Sequence, residues 1–275
     1  MNSLIQKIRR SARRIGPSRP VHVSIAGEDY VVDSGSSLAT ELDDKDYAWL
    51  RELSKGKRCI LDVGCSMGLS ALMFARHMDP SGECVLFDGS INSLRQAASN
   101  IFAAGPPTPK VSFAYSWVGK GSGNPSAAPD LIRFDSGLVV VQSALRRLPG
   151  KPPPVGLDEI CLHHGLRPDF VKIDIEGAEH DALEGSEWLS SEARPIFQVE
   201  LHSFRLTMED AGSRIIEWSA RSGYEPWYLK HHARLESPEP LKDRGRCHVL
   251  LLPSGTPYPE SLRSIPQGIA NVLTV

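Results

Sequence analysis

Cys59-Ile60-Leu61-Asp62-Val63-Gly64-Cys65-Ser66-Met67-Gly68 is the stretch on which the fold turns. A short apolar run that stops at glycine reads as a buried strand. Leu69, Leu72, Met73 and Phe74 follow at helical spacing. Cys84 to Phe87, closed by Asp88-Gly89, reads as a second strand. Residues 91–104 read as a second helix, halted by Gly105 and the prolines at 106, 107 and 109. Val111 to Tyr115 supplies a third strand. This β-α-β-α-β alternation predicts an α/β fold, a doubly wound and mainly parallel seven-stranded sheet of Rossmann-like type with right-handed crossovers.

Downstream, residues 117–156 are rich in Gly, Pro and Ser around one apolar run, Leu138 to Val141, and read as a long inserted excursion that could hold a hairpin. Strands resume at Phe170–Asp174 and Ile196–Leu201. A helix at 208–221 follows, then strands at 224–229 and 247–252 that suit an antiparallel edge pair. The organisation expected is an N-terminal extension over 1–50, a main domain over 51–255 containing the 117–156 insert, and a tail over 256–275.

Composition narrows the function. The 275 residues are 41% hydrophobic and 23% charged, ordinary for a globular chain that buries a core. A net charge of −2 makes the chain as a whole no polyanion binder, so no nucleic acid partner is expected. Five scattered cysteines without a CxxC pair argue against a disulfide framework and a structural zinc site. No apolar run nears the roughly 18 residues of a membrane span, and no signal peptide is recognisable. A cytoplasmic setting is the expectation. Residues 1–20 carry six basic side chains and no acid, and 28–46 carry seven acids against Lys45. Leu4, Ile8 and Ile15 fit one face of a short amphipathic helix. That arm either makes peripheral membrane or partner contact, or folds back on the acidic segment.

The turn after the first strand brings backbone N–H groups and a helix N-terminus near a ligand. A dinucleotide site wants G-x-G-x-x-G, whereas here Ser66 stands where the middle glycine belongs. Asp62, just before the loop, repels a pyrophosphate and favours an ammonium or sulfonium. That points to S-adenosylmethionine rather than NAD. Asp88, at the end of the second strand, is placed to accept both hydroxyls of an adenosine ribose. A plain tight turn with a surface acid is the bland alternative.

Central parallel strands are usually apolar on both faces. Here Lys172, Asp174 and Glu176 share one side of their strand, and Gln198, Glu200 and His202 share one side of the next. Buried charges need partners or a wet site, and strand carboxyl ends line the ligand crevice of doubly wound folds. A structural Lys172–Glu200 salt bridge would account for part of the set. Glu176 and Glu179 would equally suit a helix N-terminus.

DVGCSMGLSAL, FDGS, GLDEI, FVKIDIEGAEHDALEGSEWL and RPIFQVELH, from about residue 58 to 228, resemble the FkbM-type family of S-adenosylmethionine-dependent methyltransferases. KIDIEGAE is the most specific piece. The resemblance implies a class I methyltransferase fold and, usually, O-methylation of sugars or other natural products. Asp62, Gly64, Cys65, Ser66, Gly68 and Ser70 would surround the cofactor's methionine portion. Asp88 and Gly89 would hold the ribose, and Ser116 and Trp117 would lie near the adenine. Asp174 would face the transferred methyl, with Lys172, Glu200 and His202 beside a small-molecule or glycan acceptor. Gly89 departs from the family's usual proline, and CSM from its usual ANI.

The expected chemistry is in-line attack by an acceptor oxygen, aided by Asp174, Glu200 or His202 as base. Two acids, Asp174 and Glu200, are too few to assign a metal, and none is expected. An NAD-dependent oxidoreductase and a non-catalytic S-adenosylmethionine-binding module are the rival readings.

Overall fold

The computed structural model describes residues 19–33, 44–105, 107–134, 137–148, 150–242 and 244–265. The basic arm read before residue 19 and the tail from 266 onward lie outside the described residues.

The predicted alternation is present. Strands β3 (Cys59–Val63), β4 (Glu83–Asp88) and β5 (Lys110–Tyr115) alternate with helices α2 (Leu69–His77) and α3 (Ile91–Ala104). Ser90 caps α3, its side chain accepting from the Ser93 amide. After β5 come β9 (Phe170–Ile173), β10 (Ile196–His202), α7 (Met208–Ser222), β11 (Tyr224–Tyr228) and β13 (Arg246–Pro253). The neighbours β10-β9-β3-β4-β5 run parallel, as the crossovers require.

The sheet differs from the expected seven strands. Among the described residues it has nine and is mixed, in the order β12 (Ala233–Arg234), β11, β13, β10, β9, β3, β4, β5 and β7 (Ile132–Arg133). The two extra members, β12 and β7, are two-residue strands at its edges. β13 inserts antiparallel between β10 and β11, so the 224–228 and 246–253 strands pair as expected, but β12 forms the edge beyond them.

The 117–156 excursion holds no hairpin among its described residues. β6 (Trp117–Val118) instead pairs in parallel with β8 (Pro154–Val155), closing the excursion at its base. The apolar run at 138–141 opens a helix, α4 (Leu138–Arg146), which lays Val141 and Leu145 into the core.

Helices cover both sheet faces. One face packs Ile60, Leu86, Phe170 and Leu250 under α1 (Asp44–Ser54), α2, α3 and α4. The other packs Leu61, Val63, Val85 and Val171 under α5 (Leu157–His164), α6 (Glu179–Glu184) and α7. Ahead of α1, β1 (Pro20–Ile25) and β2 (Glu28–Asp33) form an antiparallel hairpin. Its two-residue turn, Ala26-Gly27, has positive φ at both positions, which matches the right-handed twist of the strands. Glu28 at its start pairs with Arg51 of α1 and with Arg76 and His77 of α2, tying the hairpin to the domain. A short helix, α8 (Glu260–Arg263), ends the described chain and buries Leu262. No helix among the described residues is long and apolar enough to cross a membrane.

Candidate active site

Strand register assembles the site. Asp62 on β3 lies opposite Lys172 on β9, and Lys172 lies opposite Gln198 on β10. Consecutive residues of a strand point to opposite faces, so this polar row runs across the middle of an otherwise apolar face. Asp62 is fully buried. Its Oδ2 accepts from the Ser70 hydroxyl at 2.5 Å, and its Oδ1 lies 3.3 Å from Lys172 Nζ. Lys172 also donates to Asp174 Oδ2 and to the Gly64 carbonyl, each at 3.2 Å. Burial disfavours its ammonium, but Asp62, Asp174 and Glu200 outweigh that and hold the charge firmly. Lys172 therefore bridges β3 to the end of β9. The Lys172–Glu200 salt bridge weighed from the sequence is not what forms: Glu200 receives Arg246 Nη1 at 2.9 Å instead.

The glycine loop sits directly above this row. Gly64 has φ of +82°, and a Cβ there would lie 1.7 Å from the Asp174 carbonyl oxygen, so only glycine lets the loop touch the end of β9. Gly68, at φ +73°, packs against Ala97 of α3, where a Cβ would meet another at 2.7 Å. Ser66, which lines the cavity, adopts φ +48°, and Glu176, two residues past Asp174, φ +58°, a costly conformation for side-chain-bearing residues. Burial pushes the Cys65 thiol well above its usual range, so it serves as apolar lining rather than as a nucleophile.

A cavity of about 200 Å³ opens here, lined among others by Gly64, Cys65, Ser66, Ser70, Lys172 and Asp174. Asp88 lies next to it. Its Oδ2 accepts the Ser66 amide at 3.0 Å and its Oδ1 the Ser90 amide at 2.7 Å. A carboxylate offers about four acceptor sites, so two remain. Burial pushes the Asp88 carboxyl up to about 6, with Asp62 adding to the rise and the two amides and Lys172 opposing it. The Ser116 amide donates to the Asp88 carbonyl at 3.3 Å, and its buried hydroxyl oxygen has no partner among the described residues. Trp117 is half exposed and covers Gly89, where a Cβ would sit 2.9 Å from its ring. Asp88, Gly89, Ser116 and Trp117 thus form one contiguous surface beside the cavity.

His202 is held from several sides. Its Nδ1 contacts Glu179 Oε1 at 2.9 Å, while its Nε2 faces Glu200 Oε1 at 3.4 Å and Asp174 Oδ1 at 3.9 Å. Burial works against its charge, but Glu179, Glu200 and Asp174 raise the imidazole to about 10. Phe204, two-thirds exposed, stacks on the His202 ring at 5.6 Å. Glu179, weighed from the sequence only as a helix-terminal acid, is the buried partner of that histidine.

Several lining residues escaped the sequence reading. Asp46, Tyr47 and Leu50 of α1 and Arg246 and His248 of β13 also face the cavity. Asp46 Oδ2 lies 3.0 Å from His248 Nε2 and 3.5 Å from Arg246 Nη2. The only available signal was polar alternation at Arg246 and His248 on a strand that reads as otherwise apolar.

The FkbM methyltransferase domain model matches residues 62–226, which hold the loop, Asp88, Lys172, Asp174 and the β10 residues. Three solved methyltransferase structures are among those the chain is similar to. The methyltransferase FkbM of Methylobacillus flagellatus KT is 17% identical with a TM-score of 0.43, covering 72% of this chain and 44% of that one. The O-methyltransferase TomG of Streptomyces achromogenes, involved in tomaymycin synthesis, is 15% identical with a TM-score of 0.43, covering 78% and 82%. An rRNA methylase of Streptococcus thermophilus is 11% identical with a TM-score of 0.42, covering 76% and 94%. This chain thus spans less than half the length of the first of them. No protein of curated function matches the sequence. The domain match extends over more than half of the chain, and the chain belongs to the FkbM methyltransferase family, whose cofactor is S-adenosylmethionine.

Proposed function

We propose that the chain transfers a methyl group from S-adenosylmethionine to a hydroxyl oxygen of a sugar or other natural product, and that Asp174 receives the acceptor's proton. The observation that carries this reading is the Asp62–Lys172–Asp174 row beneath the glycine loop, open to the cavity at Asp174. The residues fit the cofactor. The loop is glycine where the backbone closes on Asp174, Ser116 offers an unpartnered hydroxyl, and Asp88 retains acceptor capacity. Gly64, Ser66 and Ser70 would hold the methionine portion, Asp88 the ribose, and Ser116 with Trp117 the adenine. When bound, the cofactor supplies an already activated methyl group.

The chain supplies alignment and a place for a proton. Lys172 occupies Asp174 Oδ2 and leaves Oδ1 toward the crevice. His202, raised to about 10, keeps its own proton at neutral pH and is a donor there, so Asp174 is the better acceptor of the hydroxyl proton. The exposed Phe204 ring beside His202 offers the flat apolar surface that one face of a sugar ring packs against. A small-molecule or glycan acceptor fits this arrangement.

The test is methyl transfer from S-adenosylmethionine labelled in its methyl group to a panel of sugar and polyketide hydroxyls. An alkali-stable O-methyl product is expected. Asp174→Ala should lower turnover about 10²- to 10⁴-fold with the unfolding temperature preserved. Label on nitrogen, or near-normal turnover in Asp174→Ala, would overturn the reading.

Asp88 gives a second expectation. A ribose bound to its carboxylate favours the ionised form, so binding lowers the pKa of a group that sits at about 6 in the free protein. Affinity for S-adenosylhomocysteine should therefore rise from pH 5 to 7.5 with a midpoint near 6. In Asp88→Asn the rise should vanish and affinity fall; a pH profile unchanged in that variant would remove Asp88 from the ribose site.

A further inference from the structure

We propose that Asp174, Glu200 and His202 form a binding site for a first-row divalent cation, with Glu179 orienting the histidine. One ligand atom from each of the three lies within 4.8 Å of the others. His202 Nε2 stands 3.4 Å from Glu200 Oε1 and 3.9 Å from Asp174 Oδ1. An ion bonded at about 2.1 Å to nitrogen and oxygen places its ligand atoms roughly 3–4 Å apart, which is the spacing of both pairs that include His202.

The surroundings supply what a metal site needs beyond its ligands. Metal-ligating histidines nearly always give their second ring N–H to a carboxylate, a backbone carbonyl or a water, which fixes the tautomer. Glu179, itself buried, holds His202 Nδ1 at 2.9 Å and leaves Nε2 for the ion, which would take the place of the proton that Nε2 otherwise carries. Lys172 takes Asp174 Oδ2 and leaves Oδ1, and Arg246 donates to Glu200 Oε1, so both carboxylates are anchored in place; with about two lone pairs, Glu200 Oε1 can serve Arg246 and the ion together. Gln198 lies two positions before Glu200 on the same face of β10. It is buried, it lines the same cavity as Asp174 and Glu200, and its Oε1 has no hydrogen-bond partner among the described residues. That oxygen is an acceptor for a water in the cavity. One imidazole with two carboxylates suits Mn²⁺, Fe²⁺ or Zn²⁺ better than the all-oxygen preference of Ca²⁺.

Three protein ligands leave positions open toward the crevice. An acceptor hydroxyl bound there would be more acidic than a free alcohol and would give up its proton more readily. The ion site stands on the coordination geometry and does not depend on the cofactor reading, because the ion binds with no methyl donor present.

The experiment uses the full chain, stripped with a chelator and then dialysed, titrated with Mn²⁺ and read by electron paramagnetic resonance, with Zn²⁺ in parallel by calorimetry. One ion per chain is expected, weakened about 10- to 100-fold by Glu179→Gln and abolished by His202→Ala, with thermal unfolding checking that both variants fold. Absence of a stoichiometric site for either ion in the wild-type chain would overturn the proposal whatever the variants do. So would a site that persists unchanged in Glu179→Gln and His202→Ala. Loss of S-adenosylhomocysteine binding with the ion site intact would instead count against the cofactor reading alone.

Discussion

Gly64→Ala should destabilise the domain and loosen the cofactor site in a single substitution. The added Cβ meets the Asp174 carbonyl oxygen at 1.7 Å and the Ile175 side chain at 3.0 Å, in a backbone conformation of φ +82°. The nearest atom is backbone, so relief requires the loop or the end of β9 to shift. Strain at positive φ and overpacking together cost roughly 2–6 kcal/mol. For a domain of this size that is a fall of roughly 5–20 °C in unfolding temperature. Displacement of Asp174 should also weaken S-adenosylhomocysteine binding more than tenfold. Gly150→Ala is the control, because its Cβ would have nothing within 4 Å and no positive φ is recorded there. An unfolding temperature for Gly64→Ala that matches the control would mean that loop and strand do not touch.

The second large effect is expected at Lys172. It is the cation shared by the wholly buried Asp62 and by Asp174. Lys172→Met fills much of the same volume but leaves the buried Asp62 without its cationic partner. Removing one member of a buried pair costs about 3–5 kcal/mol, since the remaining charge stays desolvated. The unfolding temperature should drop roughly 6–20 °C. Adding Asp62→Asn removes the orphaned charge and should recover part of the loss, the coupling that a double-mutant cycle measures. Unfolding temperatures that are unchanged in Lys172→Met, or losses that simply add, would show that the row is solvated rather than buried.

Local pattern carried far into this fold. The apolar run at 59–63, the helical spacing after Gly68 and the proline-bounded helix at 91–104 were legible because each is decided by neighbours in sequence. Polar alternation at 172–176 and 198–202 marked the strands that bear the crevice. Strand pairing was not legible in the same way. Lys172 was weighed against Glu200 on the following strand, but the register sets it against Asp62 on β3, far earlier in the chain. The partner of Glu200 is Arg246 on β13, a strand inserted antiparallel beside β10.

The same cause hid α1. Nothing local in Asp46-Tyr47 announces that the pair lines a cavity, because the groups that hold Asp46, Arg246 and His248, lie some 200 residues away. The hairpin at 20–33 did carry a signal, alternation around Ala26-Gly27, which the charge pattern of the segment obscured. Cys65 and Ser66, departures from the family's usual loop, still face the cavity through a backbone shape fixed by Gly64 and Gly68.

Calorimetric titration of the full chain with S-adenosylhomocysteine, run beside NADH, measures the main point directly. Saturable one-to-one heat with the nucleoside thioether and none with the dinucleotide is the expected result, and it should disappear in Gly64→Ala. Heat from NADH, or no heat from S-adenosylhomocysteine with a properly folded chain, would contradict a methyl-donor site between the glycine loop and Asp174.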